Sequence, residues 1–216
     1  SRKLCKPVKI ELTREEVFCS CRNSHRFDTT VKTGVKKDGT IVAQHVKVIV
    51  DAGAYKCSAP VAMFLSHAMC DPCIDRKNVR HEGVAVYTNK DFNFARRGHG
   101  APQMRLAADS QYDQICEDLG LDVVEFLLKN LRKKGDVIPN GDRLDSYGLP
   151  EAVRRSAEAI GWKEKRGKQR DKNRGVGIGI NGMFSGSGYW PFACAAIVRL
   201  NHDGTITLIE GDCEFG

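Results

Sequence analysis

No uninterrupted apolar stretch in this 216-residue chain approaches the ~20 residues that a membrane span requires. Its first residues, Ser1-Arg2-Lys3-Leu4-Cys5, open no secretory h-region, so neither a membrane protein nor a secreted one is expected. Familiar catalytic signatures are missing too: no Gly-x-Ser-x-Gly elbow, Walker loop, His-Glu-x-x-His or dinucleotide fingerprint following a strand. Aromatics are few, at 7%, yet 41% of the residues are apolar, which suffices to bury a core and argues against wholesale disorder. The nine cysteines are odd in number and scattered. Cys70-Asp71-Pro72-Cys73 is a lone CxxC without a second pair at zinc-ribbon spacing, and reads as a loop rather than a metal site. Reduced thiols in the cytoplasm are expected. Against these absences stands an excess of positive charge, +7 from 34 basic and 27 acidic residues. Such an excess suits nucleic acid, an anionic cofactor or an acidic partner equally.

Patterning predicts an α+β fold in which β-hairpins flank a central group of helices. Val8 to Leu12 alternates like a short strand, and Thr13-Arg14-Glu15-Glu16 has the form of a capping box. Two β-branched runs, 27–35 and 41–50, are joined across Asp38-Gly39, a hairpin signal. A short helix over 59–69 and a strand over 79–87 follow. Apolar spacing then predicts a long helix over 103–119, stopped by Gly120, a second from Asp122 through Leu131, and a third from Pro150 to about Gly161. The charge run 163–174 (KEKRGKQRDKNR) has no apolar period and reads as a solvated connector, with polyanion binding as the alternative. Residues 175–182 look like a strand, Ser185 to Gly188 a turn, and 193–200 with 205–210 a second Asp-Gly hairpin. Three segments are thus expected: 1–162, the connector 163–174, and 175–216.

One stretch stands apart, Phe92-Asn93-Phe94-Ala95-Arg96-Arg97-Gly98-His99-Gly100-Ala101-Pro102-Gln103. It lies between a predicted strand and the long helix, so its glycines precede a helix N-terminus, where free amides and the dipole attract anions. Two adjacent arginines add fork-shaped donors suited to oxo-anions. A tight turn whose arginines merely face water is the competing reading.

Arg97-Gly98-His99-Gly100-Ala101-Pro102-Gln103 resembles the Arg-Gly-aromatic-Gly-x-Pro-Gln loop of the molybdenum-binding subunit of the xanthine dehydrogenase and aldehyde oxidase family. Further stretches are similar in order and spacing: 7–16 (PVKIELTREE), Lys32-Thr33-Gly34 through Ile41, Asp51 to Tyr55, Val86 to Asn89, Gly135-Asp136, Gly148 to Glu151, Val198 to Leu200 with Asp203 to Thr205, and Glu214-Phe215-Gly216. What the resemblance implies is a molybdopterin-dependent oxidoreductase acting on aromatic, N-heterocyclic, aldehyde or aryl-CoA substrates. The cofactor carries molybdenum and in some members a cytosine dinucleotide. Electrons leave to 2Fe-2S clusters, with FAD on further domains or subunits in some members, and the intact enzyme is expected as a homodimer. Nucleic acid is not an expected partner.

By the same resemblance, residues 1–162 belong to a first molybdopterin-binding domain and 175–216 begin a second. The family's glycine-rich pterin loop would precede the chain, and its Glu-hydrophobic-Gly-Gln-Gly loop would be interrupted at Gly216. The chain is therefore expected to be an internal fragment, inactive and without bound cofactor by itself. Arg97 matches the arginine beside the metal centre, and Gly98, Gly100, Gln103, Glu214, Phe215 and Gly216 match cofactor-binding positions. His99 stands where the family usually has Phe or Tyr against the substrate, bringing a titratable proton instead. Counting back from Asp203-Gly204 sets Trp190, with Phe192 nearby, at the opposite substrate wall, core packing being the alternative. Gly98 replaces the copper-binding cysteine of the carbon monoxide dehydrogenases, and Leu65 and Ser66 occupy the place of a purine-anchoring arginine. Phe92 to Ala95 resembles the 4-hydroxybenzoyl-CoA reductase branch, from which Arg96 and His99 depart.

Overall fold

A computed structural model describes residues 2–68, 73–139, 141–168, 173–182 and 195–211. The first helix, α1 (Arg14–Ser20), has the expected capping box: Thr13 accepts from the Glu16 amide while the Glu16 carboxylate accepts from the Thr13 amide. The preceding residues 8–12 form no strand, contrary to their alternation, and Val8, Ile10 and Leu12 are exposed. Alternation alone does not make a strand; a neighbour must complete the ladder.

A two-residue strand, β1 (Asn23–Ser24), leads into the hairpin of β2 (Phe27–Val35) and β3 (Ile41–Gly53), paired antiparallel around Asp38-Gly39 as the sequence predicts. Gly39 has φ +82, and a Cβ there would stand 2.8 Å from Leu121 and 3.2 Å from Phe126. Helix α2 (Ala59–Ala68) then crosses to β4 (Val79–Tyr87), which pairs parallel with β3. The three-stranded sheet thus holds one β-α-β unit within an otherwise α+β fold. Along β3, Val46, Val48 and Val50 are buried while Lys47 and Ile49 are exposed, so one face of the sheet forms the core floor. Each buried valine contributes roughly 1.5–3 kcal/mol through lost contact with water.

After β5 (Asn93–Phe94), paired parallel with β1, comes the long helix α3 (Ala101–Leu119), starting two residues earlier than periodicity suggests. Met104, Ala108, Tyr112 and Cys116 form its buried stripe, and Gly120 closes it in the left-handed conformation. Helices α4 (Val123–Asn130), α5 (Leu149–Ile160) and the short α6 (Trp162–Lys165) follow. The expected connector therefore begins inside a helical turn. Asn130 ties α4 back to the hairpin: its carboxamide accepts from the Ile41 amide at 2.9 Å and donates to the Gly39 carbonyl at 2.8 Å.

Asp122 holds the helical layer together. One carboxylate oxygen accepts from the Val124 and Glu125 amides, and the other accepts from the Trp162 indole N–H at 2.7 Å. Asp122→Ala removes the cap of α4 and leaves a buried indole donor unpaired. It is expected to lower the unfolding free energy by about 2 kcal/mol, read from the urea midpoint at unchanged slope.

Residues 175–182 join no ladder, contrary to the strand expected there. Side chains of other elements satisfy their backbone instead, with Arg105 donating to the Ile180 carbonyl and Arg166 to that of Val176. The last described pair, β6 (Ala196–Leu200) and β7 (Ile206–Glu210), is the expected antiparallel hairpin around Asp203-Gly204. Residues 183–194, with the turn expected at Ser185 to Gly188, lie outside the described residues.

Candidate functional site

The loop from β4 to α3 is laced to the end of β3. Gly53 has φ +73, and a Cβ there would stand 2.1 Å from the Asp91 carbonyl oxygen. This close approach explains the glycine in Asp51-Ala52-Gly53. The Thr88 amide donates to the Gly53 carbonyl and the Ala54 amide to that of Lys90, both at 3.0 Å. The buried Asp51 carboxylate gathers the rest, accepting from Thr88 Oγ1 at 2.7 Å, Lys90 Nζ at 2.9 Å and the Gly53 amide at 2.9 Å. Burial alone would raise its pKa, but those hydrogen bonds and the Lys90 charge outweigh it and hold the carboxyl below its usual value.

The Asp51 carbonyl anchors the other side. It lies 3.0 Å from both His25 Nδ1 and Asn93 Nδ2. A carbonyl can only accept, so His25 carries its proton on Nδ1, which leaves Nε2 to accept from Ser58 Oγ at 3.2 Å. The strand pair β1–β5 and Arg22, whose guanidinium lies 4.3 Å above the Phe94 ring, complete the base of the loop.

From this base the chain makes four successive residues with positive φ: Arg97 (+22), Gly98 (+82), His99 (+47) and Gly100 (+96). Two of them are not glycine, so the bend stores backbone strain of the kind the surrounding packing must hold in place. Gly98 packs where a Cβ would meet the Pro102 ring at 2.7 Å, and Gly100 where it would meet the Ala62 carbonyl oxygen at 2.3 Å. Gly100 is also the N-cap of α3, which has no side-chain cap and carries proline in its first turn. The bend presents Arg96 and Arg97 as exposed side chains, and residues 92–103 contain no acidic group.

Two buried polar atoms, His99 Nε2 in the bend and Gln103 Oε1 in the first turn of α3, have no hydrogen-bond partner among the described residues. The Gln103 amide nitrogen donates to Ser24 Oγ at 2.9 Å and to the His25 carbonyl at 3.4 Å, which turns its oxygen away from both. Burial, and then the neighbouring His25, push the pKa of His99 below its usual value, so the imidazole is neutral at pH 7. An uncharged imidazole, an open carboxamide oxygen and two guanidinium groups at a helix N-terminus suit an anionic guest that also carries hydrogen-bonding groups.

Arg97, Gly98, His99 and Gly100 therefore share one bend, and Gln103 stands in the first turn of α3 directly after it. Trp190, Phe192, Glu214, Phe215 and Gly216 lie outside the described residues. Cys73 is buried and donates to the Gly182 carbonyl at 3.2 Å, and among the described residues no cluster of three or more metal-ligating side chains exists. Leu65 and Ser66 are buried in α2, where Ser66 donates to the Met63 carbonyl. Sequence reasoning did not assign roles to His25, Asp51 or Asn93. Two-residue strands and a lone histidine give no periodic signal. Only the buried acid in Asp51-Ala52-Gly53 could have drawn notice.

Residues 1–131 match the molybdopterin cofactor-binding domain family. This chain belongs to that family. It is 32% identical over 218 residues to the putative xanthine dehydrogenase molybdenum-binding subunit XdhA of Escherichia coli (strain K12), covering 97% of the chain and 29% of that relative. To the aldehyde oxidoreductase of Megalodesulfovibrio gigas it is 32% identical over 185 residues, covering 84% of the chain and 20% of the relative. In the crystal structure of the aldehyde oxidoreductase from Desulfovibrio desulfuricans ATCC 27774, a region superposes with a TM-score of 0.69 at 25% identity, covering 87% of this chain and 21% of that one. The family resemblance and the α+β class read from the sequence both hold. The chain spans less than a third of the length of these relatives. Among the described residues, no helix is long and apolar enough to cross a membrane.

Proposed function

We propose that this chain supplies part of the cofactor and substrate site of a molybdenum-dependent oxidoreductase, acting in the intact protein on an aromatic, N-heterocyclic, aldehyde or aryl-CoA substrate. The observation that carries this reading is the pair of buried atoms without a partner among the described residues, one on the positive-φ bend that also displays Arg97 and one in the helical turn after it. In this proposal Gly98 and Gly100 let the backbone approach the pterin, Gln103 Oε1 accepts a hydrogen bond from it, and Arg97 donates to an anionic oxygen at its metal end. When bound, the cofactor supplies two-electron redox chemistry that no side chain here provides. His99 acts on the substrate side as a neutral hydrogen-bonding wall. Trp190 and Phe192 are proposed as the facing wall, and Glu214, Phe215 and Gly216 as a second cofactor contact.

The partners proposed are 2Fe-2S and, in some arrangements, FAD domains or subunits, in a cytoplasmic homodimer whose pterin carries a cytosine nucleotide. The passage between two molybdopterin-binding domains is proposed at 163–174, although Val176, Ile178 and Ile180 pack against the core of the preceding residues. The relatives named above favour xanthine and aldehyde chemistry, while Phe92 to Ala95 alone speaks for the aryl-CoA branch.

The test is metal and pterin analysis of the full-length protein, purified from a host supplied with molybdate. About one molybdenum and one pterin per polypeptide are expected. Neither cofactor, together with DNA binding that weakens steeply with salt, would replace this reading with polyanion binding by the +7 surface.

A further inference from the structure

Residues 176–182 (VGIGING) lie against α3 as an extended strap, and two side chains one helical turn apart on that helix, Arg105 and Asp109, reach it. Arg105, buried, donates through Nε to the Ile180 carbonyl at 3.1 Å and pairs with Asp109. Asp109 in turn accepts from the Ile180 amide. Further along, Asp113 holds Arg166, which donates to the Val176 carbonyl at 2.6 Å. At the other end Cys73 donates to the Gly182 carbonyl, and Ile180 itself is 5% exposed. Both polar groups of the Ile180 backbone are therefore satisfied by Arg105 and Asp109 rather than by a neighbouring strand.

We propose that Arg105 and Asp109 form a latch that seats residues 176–182 on α3, and that the latch is governed by the charge on Asp109. The Ile180 amide and Gly179 are the strap groups beside the Asp109 carboxylate, and in this proposal seating them is what withdraws it from water. Burial pushes its carboxyl up to about 6, against the opposing effects of the Arg105 charge and the hydrogen bonds from Ile180 and Arg105. With the strap lifted, the carboxyl returns toward its usual value of 3.8. The seated form thus holds the proton more tightly, and acidification tightens the latch in the window between those two values. Above about pH 6 the ionised carboxylate gains water on release, which loosens the strap. Arg105 keeps the Ile180 carbonyl as an acceptor when Asp109 is neutral.

Among the described residues, the other titratable groups that act on or with Asp109 do not change charge in this window. Cys73, on the segment before β4, and Tyr112, on α3, both have raised pKa values through burial and stay neutral across the window. Arg76 acts on both of them as a fixed charge, and the strap carries no ionisable side chain. The latch rests on the fold alone and is independent of the cofactor reading.

Hydrogen exchange of the full-length protein, followed by mass spectrometry and corrected for the intrinsic pH dependence of exchange, tests it. Wild-type protection of the peptide covering 173–182 is expected to be about tenfold greater at pH 5 than at pH 7.5, with residues 46–50 of β3 as the unchanged control. Asp109→Asn keeps an acceptor but cannot ionise, so its protection should no longer depend on pH. Gly182→Ala places a Cβ 2.9 Å from Cys73 Sγ and should lower protection at both pH values. Equal wild-type protection at the two pH values, or an unaltered pH slope in Asp109→Asn, overturns the proposal. Should Asp109→Asn not fold, the wild-type slope against the β3 control decides by itself.

Discussion

Gly100→Ala is expected to cost about 3 kcal/mol of stability and to disable the bend that carries Arg97 and His99. Two independent penalties combine. The residue sits at φ +96, where an L side chain is strained, and its new Cβ would lie 2.3 Å from the Ala62 carbonyl oxygen and 3.2 Å from the Phe27 ring. The first contact is with the backbone of α2, which cannot rotate away as a side-chain tip could, so α2 and the start of α3 must separate. Gly148→Ala is the control: that glycine also precedes a helix, but it has φ −95 and nothing within 4 Å of its Cβ position. There the loss should stay below about 1 kcal/mol. Urea denaturation of both variants makes the comparison; equal losses would mean that the contact with Ala62 does not constrain the bend.

Arg97→Ala in the intact protein is expected to lower turnover about 100-fold while leaving stability within about 0.5 kcal/mol of the parent. Arg97 is exposed, and no ion pair or side-chain hydrogen bond ties it to another described residue, so its removal breaks nothing in the fold. In the proposed reading, the partner of this guanidinium is the anionic oxygen of the cofactor. Arg97→Lys retains the charge but loses the planar fork, and should fall between the two. Turnover per bound molybdenum separates a loss of chemistry from a loss of cofactor. Unchanged turnover in Arg97→Ala would remove this residue from the site.

Particular elements show why some features could be read before the coordinates and others could not. The Thr13 capping box, the Asp38-Gly39 turn and the Gly120 helix stop depend on residues within four positions of one another, and each forms as expected. The bend at 97–103 was legible for the same reason, since its glycines, arginines and proline are contiguous. Residues 8–12 and 175–182 have the alternation or β-branched content of strands but form none. Their conformations are decided by what lies beside them, and for 175–182 that includes Arg105, 75 residues before its partner Ile180.

Chain order and local chemistry alone determined that the molecule would be an α+β assembly with a cationic, glycine-built bend at the head of its longest helix. Tertiary structure decided the rest. It made β4 parallel to β3, folded His25, Asp51 and Asn93 into the base of the bend, left His99 Nε2 and Gln103 Oε1 without partners among the described residues, and laid 176–182 along α3. The division follows from the range of the forces involved. Caps and turns close within a few residues, whereas burial and the satisfaction of buried polar groups depend on whichever segments the collapsed chain brings together.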